Sequence, residues 1–190
     1  MDFNDLTNRV ERLYASIDDL QDFDLKNKIV VEQIPVSNGT MLKTYFGAKD
    51  NLSELNSLVL VIHNIANLKD HLKKKLAKDI VENHIDASNA LKIIIDLSNA
   101  EKHSYPTTSN RSGLNPKIKN IQSGLKLGAQ STIEMNALTG DVMNLEGTAF
   151  IEAIATIVDE NDNVLMNSDQ LFIEAIDSWE ALLQKFNLLN

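Results

Sequence analysis

Apolar residues recur at two different spacings along the chain. Phe3, Leu6, Val10, Leu13, Ile17 and Leu20 follow steps of three and four, a single stripe that predicts a helix over the first twenty residues. Asp2, Asp5, Arg9, Glu11, Arg12, Asp18 and Asp19 fill its other faces. The spacing then changes. "KIVVEQIPV", the turn Ser37-Asn38-Gly39 and "TMLKTYFG" read as a β-hairpin, with Pro35 marking an edge strand or a ragged loop. From Leu52 to about Lys78 there is no glycine or proline, and from Leu58 to Ile65 the run is apolar nearly all round. That predicts one long helix buried on most sides, ending in lysines that suit the negative end of its dipole.

Asp86 or Ser88 is placed to cap a second helix from about Ala87 to His103. Ile93-Ile94-Ile95 would also suit a strand, but the length of the segment and the cap favour helix. Pro106 stops it. His84 falls in the connection between the two helices, solvated. "SYPTTSNRSGLNPKIKN" reads as a loop. Beyond it, residues 125–137, 147–159 and "NVLMN" read as strands. "DENDN", Asp159 to Asn163, makes the turn between the last two, and Asp169 caps a terminal helix carrying Leu171, Trp179, Leu182, Leu183 and Phe186. The expectation is a single α+β domain. Residues 1–50 give a helix and hairpin, 51–105 a central pair of buried, polar-faced helices, and 106–190 a loop, an antiparallel sheet and a last helix.

Composition narrows the class. The 190 residues are 43% hydrophobic but only 5% aromatic, so the core is aliphatic. A net charge of −9 disfavours nucleic-acid binding through bulk charge. No cysteine is present, which removes disulfides, thiolate metal sites and cysteine nucleophiles. No stretch approaches the ~20 apolar residues of a membrane span, and the acidic start is unlike a secretory leader. A cytoplasmic setting is the expectation.

Polar residues interrupt the two greasy helices in a pattern. At about 100° per residue, His63, Asn67 and Asp70 share one face of the first, with His71 beside them. Asp96, Asn99 and His103 share one face of the second. Two such ridges are expected to meet, either as a satisfied hydrogen-bond network or as a site for a small or anionic ligand. Between Leu97 and Gln130 the single acid, Glu101, faces Lys102, Arg111, Lys117, Lys119 and Lys126, so Arg111 and Lys117 join the candidate binding residues as an electrostatic funnel. A ribonuclease reading takes His103 as acid/base, Lys102 and Arg111 as phosphate stabilisers and Asn99 as a positioning group. A metal reading would use His63, Asp70, His71, Asp96 and His103, but HxxxH and ExxH are absent and no metal or other cofactor is assigned. No nucleotide-binding or hydrolase motif occurs. The apolar stripe of the first helix docks either on the chain's own core or on a second copy, a homodimer.

"IHNIANLKDHL" followed by "LKIIIDLSNAEKH" resembles an uncharacterised group of bacterial proteins with an H-N-L-R-S-A-L-D-H-L-type helix and then an L-x-N-x-x-K-H-R-type helix. His63, Asn64, Asp70, His71 and Leu72 match the first pattern. Leu97, Asn99, Lys102 and His103 match the second. The arginines of both patterns are missing here, with Ser104 after the final histidine. A looser likeness is to the HEPN helical nucleases, which implies RNA cleavage in a toxin or phage-defence system; their Arg-x4-6-His signature does not occur. A non-catalytic interaction module is the remaining class.

Overall fold

The computed structural model describes residues 6–22, 24–25, 29–46, 51–103 and 110–188. Phe3 and the helix stop assigned to Pro106 lie outside them. The elements run α1 (Leu6–Asp18), β1 (Gln21–Asp22), β2 (Ile29–Val36), β3 (Gly39–Phe46), α2 (Asn51–Leu72), α3 (Lys78–Ala87), α4 (Asn89–His103), β4 (Lys117–Leu127), β5 (Thr132–Met135), β6 (Val142–Glu146), β7 (Ala149–Val158), β8 (Val164–Asn167) and α5 (Ser168–Lys185). The fold is α+β, with antiparallel sheets and a terminal helix. No helix among the described residues is long and apolar enough to cross a membrane.

The helices enclose an aliphatic core. α4 is its axis: Leu91, Ile93, Ile94, Ile95 and Leu97 are all buried, so the isoleucine triplet is helical and surrounded. Ser88 caps the helix, its Oγ accepting from Leu91 N at 3.3 Å. The α1 stripe of Leu6, Val10 and Leu13 is buried within this same core, so it is covered by the chain itself. Trp179 of α5 is 1% exposed and its indole N–H donates to the Ile65 carbonyl of α2 at 3.0 Å, giving the one polar atom of a large ring a partner.

β7 organises the sheet. β4 runs antiparallel along one edge of it, while β1 and β8 share the other. Its residues alternate buried and half-buried, and Ala155 and Ile157 join the helical core. Between β4 and β7 the chain makes the β5–β6 hairpin and returns in register, with Leu127 opposite Ala149. The β2–β3 hairpin forms as the sequence predicts, with Val36 opposite Gly39. Its Glu32–Lys43 and Val30–Tyr45 cross-strand pairs are tied by the Tyr45 hydroxyl donating to Glu32 and by Lys43 over the Tyr45 ring. Leu25, Ile29, Ala149 and Ile151 make a smaller second core at this end. There Gly140, at φ +80°, comes so close to Ile29 that a Cβ would lie 2.6 Å from its carbonyl oxygen, so the β5–β6 turn demands glycine twice over.

Several expectations need correction. The long helix stops at Leu72, and Lys78–Ala87 is a helix of its own. Ala77 is extended (φ −59°, ψ 140°) with no side-chain cap, and that single backbone turn redirects Val81 and Ile85 into the core. His84 is therefore not in a solvated loop. It is half-buried on α3, stacked on Trp179 at 5.8 Å and bonded through Nε2 to the Ser178 carbonyl at 2.7 Å. Lys117–Asn120 opens β4 and is not loop, and the strand expected over 125–137 is divided between β4 and β5. Asn167, not Asp169, caps α5 by accepting from Gln170 N at 2.8 Å. The Asp159–Asn163 turn does join β7 to β8, with Asp159 accepting from the Asn161 and Asn163 backbone at 2.9 Å each.

Since Ile94 is fully buried at the centre of α4, Ile94→Ala should cost about 3 kcal/mol in urea unfolding. The solvent-facing Leu60→Ala should stay within about 0.5 kcal/mol.

Candidate functional site

The polar faces of α2 and α4 do meet, but α4 presents a different face from the one its sequence singles out. His63 of α2 is held at both ring nitrogens. Nδ1 lies 2.9 Å from Ser98 Oγ, and Nε2 lies 2.9 Å from Glu101 Oε2. One turn further along, Lys102 Nζ donates to Asn67 Oδ1 at 3.2 Å. Ser98, Glu101 and Lys102 lie roughly 120–160° round the helix from Asp96. Both ring nitrogens are thus engaged, one by the serine hydroxyl and the other by the glutamate carboxylate. Ser98 is only 1% exposed, so this serine positions the ring and does not present a nucleophile. A substrate could reach either ring nitrogen only by displacing one of these partners.

Asp96 serves the other side of α4. Its buried carboxylate accepts from Arg111 N at 2.9 Å, Ser112 N at 2.7 Å and Ser112 Oγ at 2.6 Å. It is an anchor for the chain entering β4, with no histidine in contact. Asp70 and His103 are exposed and Asn99 is half-buried, and the α2–α4 seam uses none of them. His71 sits half-buried at the end of α2 with its Nδ1 enclosed and unpartnered among the described residues. Desolvation, with Arg9 and Lys74 adding to it, holds its pKa below the ordinary histidine value. The five residues of the metal reading are thus dispersed, and no group of three or more His, Cys, Asp or Glu among the described residues could hold a metal ion.

Within the basic stretch, Arg111, Lys119 and Lys126 are ion-paired with their own surroundings. Arg111 pairs with Glu82 through Nη2 and with Asp86 through Nε at 3.2 Å. Lys73 pairs with the same Glu82. Lys117 donates to the Glu160 carbonyl at 3.3 Å, Lys119 pairs with Asp162 at 2.6 Å, and Lys126 bridges Glu152 and Asp169 at 2.6 Å each. Hydrogen bonds from Arg111, and then from Lys73, pull the Glu82 carboxyl from 4.5 down to about 2.

Between α2, α4 and the start of β4 lies a groove of about 610 Å³. Leu55, Val59, Ile62, Leu97, Ala100 and Ile118 give it apolar walls. Its polar rim includes His63, Glu101, Lys117, Glu160 and the asparagines 56, 110 and 115. Asn115 Nδ2 holds Glu160 Oε2 at 2.7 Å. Of the residues singled out by sequence, His63, Asp96 and Lys117 line this groove; Asn67, Asp70, His71, Asn99, Lys102, His103 and Arg111 do not. Ser98, Glu101, Asn115 and Glu160 were missed. Glu101 carried the one available signal, as the single acid in a basic stretch, one turn beyond buried Leu97. No protein-family model matches the chain, and neither curated proteins nor solved structures match it.

Asp96→Ala should lose about 3 kcal/mol, because it leaves two backbone N–H groups without an acceptor, whereas Asp70→Ala should stay within about 0.5 kcal/mol. Equal melting of the two variants would refute the anchor. The Glu82 pairing is also tested by pH. A carboxyl depressed from 4.5 to about 2 contributes stability in full above about pH 4.5, and that contribution fades as pH falls toward 2. Glu82→Gln should flatten that acid limb in denaturant titrations taken across the window.

Proposed function

We propose that the chain is a binding protein for a small amphipathic molecule taken into the α2–α4–β4 groove. The observation that carries this reading is the groove itself: a concave, mostly apolar volume with a few fixed polar groups at one rim, the usual form of a small-molecule site. Its polar rim favours a hydrogen-bond donor or amine over an anion. Glu101 and Glu160 face it with Lys117 as the single lysine or arginine among the described residues, so the anionic ligand suggested by the sequence fits this groove poorly. His63, fixed by Ser98 and Glu101, acts as a rigid wall that orients the head group, and the reading assigns it no proton transfer. The ribonuclease alternative would need Lys102 and Arg111 for phosphate, and they are engaged with Asn67 and Glu82.

The test is a fragment screen by NMR on the full chain, using small aromatic and aliphatic amines and alcohols. Binders should move the signals of Val59, Ile62, Ala100 and Ile118 together. Ala100→Trp, which fills the groove, should weaken a hit at least tenfold without unfolding the protein. Glu101→Gln should weaken amines more than alcohols. A screen in which no compound shifts these four residues, or in which Ala100→Trp binds as well as the parent chain, would sink the reading.

A further inference from the structure

Two glutamates in the lining of the groove are each half used. Glu101 Oε2 lies 2.9 Å from His63 Nε2, and Glu160 Oε2 accepts from Asn115 Nδ2 at 2.7 Å. Asn115 is itself held by the Asn110 amide, so each carboxylate is fixed in place by side chains of the rim. In neither glutamate does Oε1 have a hydrogen-bond partner among the described residues. The third carboxylate of the lining, Asp96, is spent on Arg111 and Ser112. Lys117 gives its ammonium to the Glu160 backbone carbonyl at 3.3 Å and to neither carboxylate. With histidine counted as neutral, Glu101 and Glu160 against Lys117 leave this rim one negative charge in excess. A single ammonium would balance it, and its N–H groups would meet the open oxygens.

The walls select what that ammonium carries. Leu55, Val59, Ile62, Leu97, Ala100 and Ile118 are all aliphatic, and no Phe, Tyr or Trp lines the groove among the described residues. Quaternary ammonium groups are recognised on the faces of such rings. With none to sit on, the charge has to be held through its own N–H donors, which a primary ammonium has and a quaternary one lacks. The α2 side of the groove runs from Leu55 to His63, about 12 Å of helix. A hydrocarbon chain laid along walls of that length gains about fourfold in affinity for each methylene taken out of water.

Resting on the reading of the groove as a ligand site, we propose that its ligand is a linear aliphatic primary amine, bound as the ammonium by Glu101 and Glu160 with its chain along the aliphatic walls. The two glutamates set specificity for the head group. His63 and Asn115 are positioning residues: each holds one oxygen of a glutamate and leaves the other for the ligand. Full methylation of the nitrogen removes the donors and enlarges the head, so the class excludes quaternary amines of the same chain length and charge.

The experiment titrates the full chain at pH 8, where an alkylamine is charged, with hexylamine, butylamine, hexanol and trimethylhexylammonium at one ionic strength. It follows the NMR signals of Val59, Ile62, Ala100 and Ile118. Hexylamine should shift these signals saturably and bind at least tenfold more tightly than hexanol or the trimethyl compound. It should bind about tenfold more tightly than butylamine, which is two methylenes shorter. Glu101→Gln and Glu160→Gln, both at exposed positions, should each weaken hexylamine at least fivefold and leave hexanol within twofold. Glu134→Gln, which removes the same charge from an exposed position on β5, should change neither. The proposal is overturned, with the groove still a ligand site, if hexanol or the trimethyl compound binds as tightly as hexylamine. The same holds if hexylamine binds no more tightly than butylamine, or if either groove variant binds hexylamine undiminished. If none of the four compounds moves the four residues, the proposal falls together with the reading of the groove.

Discussion

A single buried carboxylate sets the geometry on which the middle of this molecule depends. Asp96 sits on the most buried helix and accepts three hydrogen bonds from Arg111 and Ser112. A carboxyl group buried there is tolerated because its lone pairs are used by donors that themselves need acceptors. The anchor fixes where the chain enters β4. That places Asn115 and Pro116 at the mouth of the groove, carries Arg111 across to Glu82 and Asp86 on α3, and starts β4 so that Lys117 falls opposite Val158. The mouth of the groove, the Arg111 ion pairs and the sheet register all follow from one attachment.

Around that point the molecule separates two kinds of work. The helices and the inner face of β7 hold a continuous aliphatic core. The β2–β3 and β5–β6 hairpins stand on a small second cluster and leave Val36, Met41, Leu42, Tyr45, Met143 and Leu145 exposed. A two-stranded hairpin is marginal by itself, so its cross-strand Glu32–Lys43–Tyr45 group and the close seat of Gly140 on Ile29 matter more there than comparable contacts would in the core.

How much of this was legible in the sequence varies with the kind of signal. The α1 stripe, the Ser37-Asn38-Gly39 hairpin, the Asp159–Asn163 turn and the burial of α2 and α4 rest on periodicity and turn chemistry, and those are local. α3 was hidden because its start at Ala77 has neither a capping side chain nor a glycine or proline; the break is made by tertiary packing of Val81 and Ile85. Periodicity correctly indicated that polar faces of two helices meet. It could not indicate which face of α4 does so, since Asp96 and Ser98–Glu101–Lys102 are equally good polar rows and only the rest of the fold decides which one meets α2. The basic stretch after Leu97 illustrates the same limit for charge. Its lysines and arginine were visible, and their partners, on α2, α3, β7, the β7–β8 turn and α5, were far away in sequence.

The chain's one tryptophan is enclosed where α2, α3 and α5 converge, bonded to Ile65 and stacked against His84. Intrinsic indole fluorescence therefore samples that helical junction alone. The ring is shielded from water, with an imidazole stacked beside it. Optical unfolding curves record the helices parting from one another. Fraying of either hairpin passes without a signal, so a fluorescence midpoint and one from backbone circular dichroism need not coincide even when both are measured on the same sample.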